Sequence, residues 1–338
     1  MTGATRHKRL PGPSFAFSFV VNYGSIMITK RKIIIDTDPG QDDAVAILLA
    51  LASPELDVLG ITVVAGNVPL PMTELNTRKI VELAGSPDVP IFAGCFEPID
   101  RKLVTAEHVH GQTGLDGPTL PDPQIQLQPK HAVEYLIETL RQTADVTLCP
   151  LGPLTNIATA LRQAPKIAAN IREIVLMGGG YFEGGNITPA AEFNIYVDPT
   201  AADIVFRSGI PITVLPLDVT HQVLVTPTRV EAFRTMPNNA GPAVAEFTDF
   251  FERYDKEKYG SEGAPLHDPT VIAYLLDPKL FESRSINVTV ETQSDLTLGA
   301  TVADWWRVTD RPHNAMWVRN INADGFFKLL TDRIATLP

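Results

Sequence analysis

Short apolar runs alternate with helix-length stretches along most of this 338-residue chain, and that alternation restricts the fold more than any other feature. Ile33-Ile34-Ile35 has no polar position on either side, so it reads as a strand buried on both faces, as in a parallel sheet. It stops at Asp36-Thr37-Asp38-Pro39-Gly40, where proline and glycine force a turn. Asp42 or Asp43 then opens a helix through residues 44–51, closed by Ser53-Pro54. Further strands are expected at 56–65, 91–93, 146–149, 174–177 and 212–215, with helices at 74–84, 132–141, 154–163 and 200–207 falling between them. Strands in this rhythm are parallel and joined by crossover helices. The last third predicts helices at 243–256 and 270–276, strands at 286–290 and 316–319, and a closing helix from Asp324. The expected fold is α/β, a single doubly wound, Rossmann-like domain over residues 27–338 with a mostly parallel central sheet.

Composition narrows the partners. A net charge of −11 excludes a basic footprint for nucleic acid. Two distant cysteines, Cys95 and Cys149, form neither a disulfide framework nor a zinc spacing, which points to a reducing, cytoplasmic compartment. No stretch is long and apolar enough to span a membrane. Residues 1–26 pair a basic start, Arg6 to Arg9, with a short, interrupted apolar run. They read as a disordered leader or a mis-assigned start, with Met27 leading directly into the first strand.

In open parallel sheets, ligands bind beyond the carboxyl ends of the strands. Those positions here carry Asp36, Asp38, Asp42 and Asp43, then Asn67, Leu151-Gly152 and Met177-Gly178-Gly179-Gly180. Four carboxylates so close repel one another unless a cation or protons intervene. Helix capping and a braced turn account for one or two of them, not for four. All-oxygen donors select Ca²⁺ or Mg²⁺.

The run Asp36-Thr37-Asp38-Pro39-Gly40-Gln41-Asp42-Asp43-Ala44 closely resembles the DxDPGxDDA fingerprint of the inosine-uridine-preferring nucleoside hydrolase family. The resemblance continues through Ala65-Gly66-Asn67, His110-Gly111, Leu151-Gly152-Pro153-Leu154-Thr155-Asn156, Met177-Gly178-Gly179-Gly180, Glu192-Phe193-Asn194 and His267-Asp268-Pro269. It implies calcium-dependent hydrolysis of the N-glycosidic bond of ribonucleosides by a homodimer or homotetramer. Asp38, Asp43 and Asp268 are the implied calcium ligands, joined by the main-chain oxygen of Leu151, in a shell of about eight oxygens that suits Ca²⁺ better than Mg²⁺. Asn67 lies near that shell, Asp38 is the general base, and Asp36 supports the site from behind.

Ribose holding falls by resemblance to Asp42, Asn186, Glu192 and Asn194, with Met177 packed on the sugar and Phe193 within the same substrate-binding run. Residues 192–194, if extended, place Glu192 and Asn194 on one side. Read alone, these two are ordinary loop polar residues and Met177 is ordinary core. His267, beside Asp268, is the implied donor to the leaving base. His110 is expected on the base side, with Tyr254 and Tyr259 either on a lid over it or on a solvated helix face. The retained histidine favours a broad inosine-uridine profile, with a pyrimidine preference second. Trp305, Trp306 and Trp317 lie too late in the chain to be expected at the base.

Two other readings compete. Phosphatases of the haloacid-dehalogenase type also place Asp-x-Asp after a first strand, but Pro39-Gly40 departs from their pattern. An inactive, calcium-dependent nucleoside-binding protein is the other, opposed by the presence of every expected catalytic position. A dinucleotide site at Met177 to Gly180 lacks a G-x-G-x-x-G that opens a helix.

Overall fold

The computed structural model describes Met1, residues 30–259 and residues 263–338, with side chains described up to residue 254 and again from 263. Residues 2–26 of the expected leader and the start at Met27 lie outside these residues.

Six strands arrive in the expected order: β1 (Arg31–Thr37), β2 (Leu56–Val63), β3 (Ile91–Ala93), β4 (Val146–Pro150), β5 (Ile171–Met177) and β6 (Ile212–Leu215). A short ribbon of β7 (Leu224–Val225) and β8 (Ala264–Pro265) follows. Then come β9 (Phe281–Ile286), a second ribbon of β10 (Val288–Val290) and β11 (Thr301–Ala303), and β12 (Ala315–Ile321). The main sheet runs β3-β2-β1-β4-β5-β6-β12-β9. Every pairing in it is parallel except that of β9 with β12. The order reverses between β1 and β4, which makes the carboxyl ends of those two strands the switch point where a ligand crevice opens.

Burial on both faces explains why β1 is unrelievedly apolar. Ile33 and Ile35 belong to the core beneath the helix Gln41–Leu51, whereas Ile34 packs in the opposite core with Val133, Leu148 and Ile174. All three isoleucines are fully buried. The helix Gln41–Leu51 is itself buried from Gln41 to Ala50, so its first turn delivers Asp42 and Asp43 into the interior rather than to solvent.

Several expected boundaries move for local reasons. The first helix opens at Gln41, not at Asp42 or Asp43, because Gly40 caps it and donates its N–H to Asp43 Oδ2 at 2.9 Å. The helix expected at 74–84 begins at Leu70, where Pro71 occupies a first-turn position that needs no N–H. The strand expected at 286–290 is broken at Asn287, whose side chain donates to Pro312 O at 2.8 Å, so the edge strand and the ribbon separate there. Residues 192–194 are not extended: Glu192 is the N-cap of a short helix, Phe193–Val197. Among the described residues no helix is long and apolar enough to cross a membrane.

Candidate active site

The carboxyl end of β1 and the helix after it build an acidic floor. Asp36, Asp38, Asp42, Asp43 and Asp268 are all buried. Single carboxylate oxygens of Asp42, Asp43 and Asp268 lie within 4.8 Å of one another. Asp268 joins from the far end of the chain, just ahead of the helix Pro269–Leu276. Its backbone N–H donates to Asp42, and its carboxyl hydrogen-bonds that of Asp43. Asp43 also accepts from Thr37 Oγ1, and from Asn67 Nδ2 at 3.3 Å.

Asp38 stands beside this trio. Its Oδ2 accepts the Asn67 N–H at 2.7 Å, while its Oδ1 is buried without a hydrogen-bond partner. Asp36 lies behind, accepting from Thr62 Oγ1 and Asn156 Nδ2, and burial raises it to about 7. Burial and then repulsion by Asp43 hold Asp38 well above the usual carboxylate range and Asp42 at about 8. Asp268 is raised well above that range by burial and by the charges of Asp42, Asp43 and Asp38. A hard divalent cation fits this donor set: it compensates the clustered charge and gives the orphaned Asp38 Oδ1 a partner. Two of the ligands implied by the family resemblance, Asp43 and Asp268, are thus in the tight trio with Asp42, and Asp38 lies next to it. Leu151 lines the floor, and its carbonyl accepts from Asn194 Nδ2 at 2.7 Å.

Above the floor opens a cleft. Asp42, Asp43, Asn67, Leu151 and Asp268 line its bottom. One wall is Met177, Asn186, Glu192, Phe193 and Asn194. Glu192 also has a structural task there. Its carboxylate accepts the N–H groups of Gly179, Asn194 and Ile195, and burial raises it to about 7. Asn186 accepts the Phe193 N–H at 2.9 Å, closing the loop that carries this wall.

The other wall holds His110, Tyr254 and His267. Burial lowers His110 to about 3 and His267 well below the ordinary imidazole value, which favours the neutral ring at each. Tyr254 therefore belongs to the cleft, rather than to a purely solvated helix face. The side chain of Tyr259 lies outside the described residues. None of the three tryptophans lines the cleft.

Sequence reasoning missed the segment after β6. There Asp218 Oδ1 accepts the N–H groups of Tyr181, Phe182 and Glu183, and its Oδ2 accepts Trp317 Nε1–H at 2.8 Å. Asp218 thus ties down the loop that leads to Asn186 and Glu192. Thr220 touches His267, and His221 lines the cleft 5.6 Å from the His267 ring. Phe251 and His108 also line it unforeseen. The strand-end rule would have marked 217–221, because the segment follows β6 directly; Phe251 carried no signal beyond a helical apolar position.

A switch-point cleft floored by carboxylates and walled by polar side chains defines an enzyme class that acts on small polar ligands. The chain matches the sequence model of the inosine-uridine preferring nucleoside hydrolases over residues 33–328, and it belongs to that family. It is 50% identical over 308 residues to the pyrimidine-specific ribonucleoside hydrolase RihA of Photobacterium profundum, covering 90% of this chain and 99% of that one. Among solved structures it is similar to the purine-preferring ribonucleoside hydrolase of Gardnerella vaginalis, at 35% identity and a TM-score of 0.84 over 90% of this chain and 98% of that one. A plant nucleoside hydrolase, PpNRh1, matches at 33% identity and a TM-score of 0.83 over 90% and 99%. The protein is an enzyme that hydrolyses ribonucleosides.

Proposed function

We propose that the enzyme cleaves the N-glycosidic bond of ribonucleosides in a calcium-dependent reaction, with pyrimidine ribonucleosides preferred. The observation that carries the metal is the buried, unpartnered Asp38 Oδ1 beside the Asp42, Asp43 and Asp268 trio. Asp38, Asp43, Asp268 and the Leu151 carbonyl would hold the ion, with Asp42 close by. When bound, Ca²⁺ supplies charge compensation, a hold on sugar hydroxyls and increased acidity of a water.

Asp38 takes a proton from the water that adds to C1′ of the ribose. The C1′–N bond breaks, and its electron pair leaves with the base. The ring passes through an oxocarbenium-like state, which the surrounding carboxylates favour electrostatically. Asp42, Asn186, Glu192 and Asn194 orient the hydroxyls, while Met177 and Phe193 pack on the sugar. His267 donates to the departing base. The products are ribose and free base.

The relative at 50% identity is named for pyrimidine specificity, against 35% for the one named for purines. That difference supports the pyrimidine preference over the broader inosine-uridine profile. A homo-oligomer rests on the family alone. A reducing, cytoplasmic setting is supported by the two free cysteines, Cys95 and Cys149.

Reducing-sugar release from uridine, cytidine, inosine, adenosine and guanosine, each with Ca²⁺ and with a chelator, tests the reading. Release that is strongest from the two pyrimidines and suppressed by chelator is expected. Chelator-insensitive release would overturn the metal assignment, and faster purine cleavage would overturn the base preference. His267→Ala should cost tens-fold on inosine and uridine but little on nitrophenyl riboside, whose leaving group needs no donor, so roughly tenfold or more should separate the two losses. Equal losses on both substrates would remove His267 from that role.

A further inference from the structure

The two imidazoles at the base side are held by partners of opposite character. His267 Nδ1 lies 2.7 Å from Thr220 Oγ1. A hydroxyl can give or accept, so this contact alone does not place the proton. The surroundings of Thr220 do. Its side chain is fully buried, and among the described residues its hydroxyl has no other hydrogen bond. The hydroxyl hydrogen therefore has Nδ1 as its acceptor, since a buried donor is rarely left unmade. Nδ1 of the neutral ring then carries the lone pair, and Nε2 carries the proton.

His110 is the reverse. Its Nδ1 lies 2.7 Å from Gln41 Oε1. The orientation of the Gln41 amide is settled by its NH₂ group, which donates to the carbonyls of His110 and Asp116, each at 2.9 Å. Oε1 can only accept, so Nδ1 of His110 carries the hydrogen and Nε2 the lone pair. Both rings line the cleft, and among the described residues the side-chain hydrogen bond of each is made by Nδ1, which leaves each Nε2 available to a ligand. Phe251 keeps their planes in place, stacked on His110 at 5.5 Å and edge-on to His267 at 6.3 Å.

We propose that Thr220 and Gln41 are positioning residues that lock His267 and His110 in opposite tautomers, so that a bound base meets an N–H donor from His267 and a lone-pair acceptor from His110. Aid to the leaving base then comes from His267. His110 receives an N–H or amino hydrogen of the base and orients it. The functional half of the inference rests on the base-side placement argued above, whereas the tautomers themselves are a property of the free protein.

Two-bond proton–nitrogen correlation spectra of the full-length protein, labelled with ¹⁵N-histidine, read the tautomers directly. Single His→Asn variants at 110 and 267 serve to assign the signals. The pattern expected is a protonated Nε2 on His267 and a protonated Nδ1 on His110. Matching tautomers, or the reverse pair, would overturn the proposal. Thr220→Val should cost about 10-fold or more in kcat on uridine and inosine, with KM little changed and nitrophenyl riboside hydrolysis nearly intact, and Thr220→Ser should restore the loss. Equal loss on all substrates would leave Thr220 a packing residue and overturn its positioning role. Should Thr220→Val not fold, or should nucleosides not be cleaved at all, the spectra of the unmodified protein still decide the tautomers.

Discussion

Asp38→Asn is expected to lower ribose release from every nucleoside by about 10³-fold while leaving the fold intact, since general-base catalysis contributes in the range of 10²–10⁴. The amide oxygen can keep the bond from the Asn67 N–H that Asp38 Oδ2 now accepts. The NH₂ group then occupies the place of Oδ1, where no other protein group is bonded. The amide also carries no charge, so the repulsion that Asp43 and Asp42 exert on the native carboxylate is relieved. Stability in chelator should therefore equal or exceed that of the parent. What the amide cannot do is take a proton from water. Stopped assays and a melting curve suffice to check this: lost turnover, unchanged or higher Tm, and residual nucleoside binding. A kcat near the parent value would end the assignment of Asp38 as the base.

Gly152→Ala is the second large effect. A Cβ at this position would overlap Asp38 Oδ1, and one at Gly66 would overlap Asp38 Oδ2, so the two glycines clasp the carboxylate from both sides. Gly152 has no left-handed backbone, and alanine adds no conformational strain there. The substitution isolates the close approach. Asp38 must rotate or the strand end must shift, and misplacement by an ångström of a catalytic group costs about 100-fold. Overpacking adds roughly 1–3 kcal/mol of destabilisation. On the proposed calcium assignment, added Ca²⁺ should raise Tm less in this variant than in the parent while kcat falls, because both depend on the same carboxylate. Parent-like turnover in Gly152→Ala would mean that the floor has slack that the static packing denies.

The acidic floor was legible because Asp36 to Asp43 is contiguous and sits at a strand end, where both charge repulsion and topology point to a ligand. Asp268 was legible only by resemblance: nothing local in His267-Asp268-Pro269 says that it meets residues more than 200 positions earlier. The parallel order was legible because strands buried on both faces have no polar alternation. The helix Phe193–Val197 was not, since five residues are too few to display a helical period. Glu192 and Asn194 consequently came out as candidates for the right wall with the wrong local conformation. Asp218 and Thr220 were invisible for another reason. Each acts through a tertiary partner, the loop 181–183 or His267, and a lone buried Asp or Thr in a strand-end turn has many bland explanations.

The cleft is assembled from two kinds of chain. Its floor comes from strand ends and a helix fully enclosed by the core, where any change in volume is felt at once. On the wall proposed to face the base, His110, His267 and Phe251 are buried, whereas His108, His221 and Tyr254 are partly exposed at its rim. Substitutions at the rim can thus alter which base is accepted while the bond-breaking apparatus stays as it is. A library varied only at His108, His221 and Tyr254 is accordingly the shortest route to new nucleoside selectivity, and one varied at the floor is a route to inactive protein.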